Sequence, residues 1–246
     1  MSQSASRAVL AQTRMELILT MRRGENVLVT VVIPVILLIF FASLNLVPSG
    51  TDSGLDFLVP GILALAIIST GMVNLGIATA YERYYGVLKR LGGSPLPRWG
   101  LLVAKALAVL ALEVFQIILL FVVAHFGYGW HPHLQAVLAV VAVILGTLAF
   151  SSLGLAMAGG LRAEATLAIA NGLYLLFLLL GDVVLPLDHL PAVLRPIATV
   201  LPATALSDTL RAAVVPGVTT TGFSILTLLA WAVIATVLAV RAFRWE

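Results

Sequence analysis

The sequence predicts an all-α integral membrane protein: six transmembrane helices, an N-terminal amphipathic interfacial helix, and re-entrant helices between the last two spans. Two observations set the class. Of 246 residues, 61% are apolar and only 10% are charged, whereas a soluble domain carries about 25% charged residues. The mean hydropathy is +1.11, which is more apolar side chain than one core of this size can enclose. The solvent left for it is lipid. A third observation sets the number of spans, because the apolar residues fall in six long runs.

A hydrocarbon core of about 30 Å needs about 20 helical residues. The runs cover residues 27–46, 58–79, 101–126, 136–158, 167–180 and 223–240, and the fifth is short for a full span. Backbone groups in lipid must bond internally, which selects helices. The runs are too continuous for barrel strands, which alternate. Residues 1–24 are expected to form an amphipathic interfacial segment and residues 25–246 a six-span transmembrane domain.

Lys and Arg set the orientation. Arg7, Arg14, Arg22 and Arg23 precede the first span. Arg83, Lys89, Arg90, Arg98 and Lys105 are counted between the second and third. Arg162 lies between the fourth and fifth, and Arg241 and Arg244 follow the sixth. Arg195 and Arg211 alone fall on the other side, with Asp52, Asp56, Asp188 and Asp208. Positive loops stay inside, so both termini are expected in the cytoplasm. The same pattern, basic residues beside apolar spans, argues against nucleic acid as a partner. The start lacks the short apolar region and small-residue cleavage site of a signal peptide.

Residues 7–23 instead carry helical periodicity. Gln12, Thr13, Glu16 and Thr20 fall on one narrow face. Leu10, Ala11, Met15, Leu17, Ile18 and Met21 cover the rest, and Val9 breaks the pattern. The pattern fits a helix that lies on a membrane, with Arg14 able to snorkel, and the alternative is an ordinary cytosolic extension.

The loop after the second span carries the most information. Residues 81–91 are expected to form a short helix that mixes charges and aromatics. Gly92 and Gly93 would end it, and Pro95 and Pro97 block its continuation. A short rod of this kind either transmits a push to the two attached spans or serves as a basic loop that fixes topology. Residues 181–222 are long for a loop, apolar, and broken by Pro186, Pro191, Pro196, Pro202 and Pro216. Apolar pieces too short to span read as re-entrant or interfacial half-helices, or else as an extracellular cap that only packs.

Polar residues inside spans are costly and face the bundle interior. Asn74, Glu113, Gln116 and Asn171 are candidates for a substrate path or for interhelical hydrogen bonds, and Asp182 sits at the outer end of the fifth span. Small residues repeat every four positions at Ser152, Ala156 and Gly160, and at Gly154 and Ala158, as helix contacts do. Trp99, Tyr128, Trp130 and Trp245 sit near expected interfaces, with Trp231 inside the last span. His131 and His133 have no carboxylate or cysteine nearby, so no metal site is assigned.

Glu82-Arg83-Tyr84-Tyr85-Gly86-Val87-Leu88-Lys89-Arg90-Leu91, followed by Ser94-Pro95-Leu96, resembles the loop of type-2 ABC transporter permeases, in the drug and antibiotic export branch. Arg22, Arg23, Asn26 and Pro34 resemble the family's approach to the first span. Leu185-Pro186-Leu187, Leu190-Pro191, Leu201-Pro202 and Leu210-Arg211 resemble its Pro-rich outer stretch. Tyr84-Tyr85 departs from the more usual charged residues.

The resemblance implies a coupling helix seated on a separate ATPase subunit, with Glu82, Arg83, Gly86, Leu88, Lys89 and Arg90 carrying that role. It also implies a dimer of permeases in a bacterial cytoplasmic membrane, and ATP and Mg bound by the partner. In this sequence no Gly-x-x-x-x-Gly-Lys-Ser/Thr phosphate loop occurs, and no catalytic motif stands on the loops. The leading expectation is export of a hydrophobic or amphipathic substrate. The alternatives are glycolipid or polysaccharide export, an ion-coupled carrier that uses Glu113 or Asp182, and a membrane assembly subunit.

Overall fold

The computed structural model describes residues 3–22, 24–44, 54–93 and 98–242. Arg23, Asp52, Ser94, Pro95, Leu96, Pro97, Arg244 and Trp245 lie outside the described residues, as do the side chains of Asn26 and Arg98. Every long described element is a helix. They are α1 (Gln3–Arg22), α2 (Gly24–Leu44), α3 (Gly54–Ile68), α4 (Leu75–Tyr84), α5 (Val87–Gly92), α6 (Arg98–Tyr128), α7 (Ala136–Gly160), α8 (Ala163–Leu180), α9 (Arg195–Thr199), α10 (Pro202–Val214) and α11 (Gly222–Ala242). A π-helical segment, Ser69–Asn74, joins α3 to α4 without a break.

Among the described residues, five helices are long and apolar enough to cross a membrane: Gly54–Tyr84, Trp99–Tyr128, Ala136–Gly160, Ala163–Leu180 and Gly222–Ala242. Thr30–Leu44 of α2 is a shorter apolar helix. The span expected at 167–180 starts earlier, at Ala163. Its first turn holds Glu164, which favours a helix N-terminus but breaks an apolar run.

The α3–α4 rod is the centre of the bundle. All residues from Leu58 to Ile68 are buried, because α2, α6, α7 and α10 surround them. The rod and α7 meet backbone to backbone. A Cβ on Gly154 would lie 2.7 Å from the carbonyl oxygen of Met72, so the small residues on α7 permit the contact. Along α11, the hydroxyls of Ser152 and Thr236 lie 3.0 Å apart.

The peripheral helices leave Ile36, Phe40, Phe115, Ile118, Leu175, Leu179, Val233 and Val237 exposed. So large an apolar surface suits lipid and not water, and the chain is a multi-pass membrane protein.

At one end of the bundle the chain from Gly181 to Val214 folds into a cap. It consists of a 3-10 turn at Leu187–His189, then α9 and α10. Pro202 opens α10 at its first turn, where a missing N–H costs nothing. α10 packs against α3, α7 and α11. The elbow between α4 and α5 lies at the other end.

Candidate functional site

The helix expected over 81–91 is broken in two. α4 runs on to Tyr84, Tyr85 ends it, and Gly86 turns the chain at φ 72 before α5 begins. This left-handed conformation is open to glycine at little cost. The chain therefore makes a sharp elbow where the sequence suggested one rod. α5 ends at Gly92, as its glycine pair led one to expect.

The six residues expected to carry coupling are placed differently, with Gly86 at the turn itself. Leu88 is buried with Val9, Leu101 and Ala104, and so anchors α5 between α1 and α6. Val9, which broke the amphipathic pattern, is thus a core residue. Lys89 and Arg90 are exposed, as are Tyr84, Tyr85 and Val87. Tyr85 stacks on Tyr81 at 6.2 Å and meets Tyr84 edge-on at 5.2 Å.

Glu82 and Arg83 turn inward. Glu82 Oε2 lies 2.7 Å from Lys105 Nζ, and Glu16 Oε2 lies 3.0 Å from the same nitrogen. Gln12 donates to the other oxygen of Glu16 at 2.8 Å. The Lys105 side chain is 1% exposed and each glutamate 11%. Arg83 donates through Nη1 to the carbonyl of Gly159 and through Nη2 to that of Leu161. These carbonyls close the end of α7, where helical partners run out.

Lys105 was counted with the loop, and the structure corrects this: it lies inside α6. The signal was available, because an ionisable residue within an apolar run marks an interior position. Its partners were not legible, since they stand 89 and 23 residues away. The polar stripe of α1 accordingly faces α6, and Leu10, Met15, Leu19 and Met21 face away from it.

Of the four candidates for a substrate path, two come together. Gln116 Nε2 donates to the Thr30 carbonyl at 2.7 Å, and Thr70 donates to Gln116 Oε1 at 2.8 Å. Asn74 Nδ2 reaches the Thr30 hydroxyl at 3.3 Å. These bonds tie α2 and α6 to the π-helical segment, a form of helix often found at functional sites. A cavity of about 40 Å³, lined by Thr70, Asn74, Glu82, Glu16 and Lys105, lies between this knot and the ion cluster.

Glu113 stands apart. It is fully buried, Thr147 donates to its Oε2, and its Oε1 has no hydrogen-bond partner. Asn171 is exposed, and its amide donates to the Leu167 carbonyl on the same helix.

At the cap end, Arg211 bonds the Asp182 carboxylate at 2.7 Å and its carbonyl at 2.9 Å. It also reaches Asp208 at 3.2 Å and lies 4.2 Å over the Phe57 ring. Asp182 holds φ 53, and its Oδ1 accepts the Leu187 N–H. Burial, and then the Asp182 charge, push the Asp208 carboxyl up to about 6, against the opposing pull of Arg211.

Apolar helices packed round a central rod, polar groups knotted within the bundle and a charged elbow at one end make up a membrane transport subunit. The chain belongs to the ABC-2 type transporter family, which it matches over residues 7–215. It carries the transmembrane part of an ABC transporter. It is also similar to ABC transporter G family member 20 of Dictyostelium discoideum, with 27% identity over 167 residues. That match covers 67% of this chain and 23% of the longer relative.

Proposed function

We propose that this chain is the permease half of an ATP-driven exporter for a hydrophobic or amphipathic substrate such as a drug, antibiotic or lipid. In this reading α2 is the sixth span. Its 21 residues extend about 31 Å at 1.5 Å per residue. The pieces between α8 and α11 re-enter the outer membrane surface, α1 lies on the inner one, and both termini face the cytoplasm of a bacterial cell. A second permease and two ATPase subunits complete the transporter, and ATP and Mg bind to the partners.

The observation that carries the reading is the elbow. The elbow is pinned at Leu88 and presents Tyr84, Tyr85, Val87, Lys89 and Arg90 outward. Aromatic and cationic side chains on a rigid turn suit a cleft with acidic and apolar walls. An apolar groove of about 440 Å³ between α6 and α7, lined by residues such as Val114, Ile118, Phe121, Val140 and Ile144, supports an apolar cargo.

Single cysteines at positions 84 to 90 test the proposal. They should crosslink to an ATPase subunit that co-purifies in detergent. Glycosylation of the elbow from outside the cell would overturn it.

A further inference from the structure

We infer that Glu82 and Arg83 are positioning residues that divide the elbow's motion between two arms of the bundle. Glu82 acts through Lys105 on α1 and α6, and Arg83 acts through the carbonyls of Gly159 and Leu161 on the α7–α8 turn. The inference rests on the reading of the elbow as the docking surface and names the residues behind it.

Adjacent residues on a helix point about 100° apart, so 82 and 83 cannot serve the same neighbour. Here they serve different ones. The Lys105 ammonium is fully buried and holds carboxylates from two other helices, α1 and α4. Pulling Glu82 away would strand charge in a dry site, which is strongly opposed. The elbow therefore cannot move and leave α1 and α6 behind.

On the other side, a planar guanidinium grips two carbonyls at once. That geometry fixes direction as well as distance. A cavity of about 680 Å³, lined by Arg83, Tyr84, Gly160, Arg162 and Glu164, lies beside this arm and gives the α7–α8 turn room to move. Neither arm uses Lys89 or Arg90, so docking and transmission fall to different residues.

The chain has no cysteine, which makes paired labelling clean. The test uses the full chain with its ATPase subunit in lipid nanodiscs and spin-label pairs at exposed positions. Pairs 89–10 and 89–164 report the two arms, and pair 89–193 reports movement against the cap. During ATP turnover the first two distances should hold and the third should change.

In Glu16→Gln/Lys105→Met/Glu82→Gln the cluster is uncharged, and thermal unfolding in detergent checks that the fold is kept. ATP turnover should persist while the nucleotide-driven change at 89–193 falls by about tenfold, the scale of a typical coupling free energy. Arg83→Lys, which keeps the charge and loses the fork, should free the 89–164 distance alone. Lengthening of 89–10 or 89–164 in the otherwise unaltered protein overturns the inference, as does unchanged cap movement in the neutral triple variant. Failure of any ATPase subunit to bind the unaltered chain overturns the docking reading instead, and the inference with it.

Discussion

The two ends of the bundle solve the same charge problem differently. Each holds one cation between two carboxylates. At the elbow end the cation is a lysine, 1% exposed, and its partners come from α1 and α4. At the cap end it is an arginine, 14% exposed, whose partners Asp182 and Asp208 both lie within the cap. The lysine is a compact charge that joins separate helices. The arginine is a planar fork that folds one stretch of chain back on itself.

The difference extends to strain. The cap cluster holds Asp182 at positive φ and leaves Arg211 Nε buried without a partner. A non-glycine residue in that conformation costs of order 1–3 kcal/mol and persists where its surroundings hold it. The elbow end gives its left-handed position to Gly86, which adopts it at little cost. The cap thus stores backbone strain that the elbow does not.

The comparison is broken most forcefully at Lys105. Lys105→Ala leaves Glu16 and Glu82 buried and unpaired, at an expected cost of about 3–5 kcal/mol. The neutral triple variant should recover most of that, because it leaves no uncompensated charge buried. Unfolding in detergent measures both. If Lys105→Ala costs no more than Lys89→Ala at the exposed face, the cluster ties nothing together.

Arg211→Lys comes next. It keeps the charge and loses the second hydrogen bond to Asp182, at an expected cost of about 1–3 kcal/mol. The loss should be confined to residues 182–214 in hydrogen exchange. Protection that falls equally at the elbow would mean the two ends are not independent.

Gly86→Ala should cost about 1–2 kcal/mol, from the left-handed backbone alone. A Cβ there has open space around it, so no clash adds to the figure. A loss well above that range would mean the elbow is strained after all.

Much of the fold was legible because lipid imposes a simple rule. A run of some twenty apolar residues has few other fates, and the runs at 101–126, 136–158 and 223–240 lie within α6, α7 and α11. The elbow was legible in composition and not in shape. Gly86 was visible, but its left-handed turn depends on where Leu88 finds its pocket, between residues 9 and 104. Asn171 shows the same limit, since a lone amide in a span signals polarity without saying which way it points. The ion cluster was hidden because its three residues are far apart in sequence. The polar face of α1 was read correctly as a stripe, yet its partner is a buried ammonium and not solvent.

The last expected effect is one of pH, and it sharpens the comparison. Asp208 is pushed from its ordinary value of 3.8 up to about 6, by burial and by the Asp182 charge, with Arg211 and Ser224 opposing. A raised carboxyl binds its proton more tightly in the folded cap than in the opened chain. Its contribution to cap stability is therefore complete below about 3.8 and is lost as the pH rises through about 6. Hydrogen exchange at the Leu187 amide, which is bonded to Asp182, reads the effect directly. Corrected for intrinsic rate, the free energy of opening should fall between about pH 4 and pH 7. Asp208→Asn, which keeps the shape and cannot ionise, should flatten the profile. A rise in protection over the same window would show that ionised Asp208 is the favoured partner of Arg211. The cap would then be held by a settled ion pair, and the contrast drawn between the two ends would lose its basis.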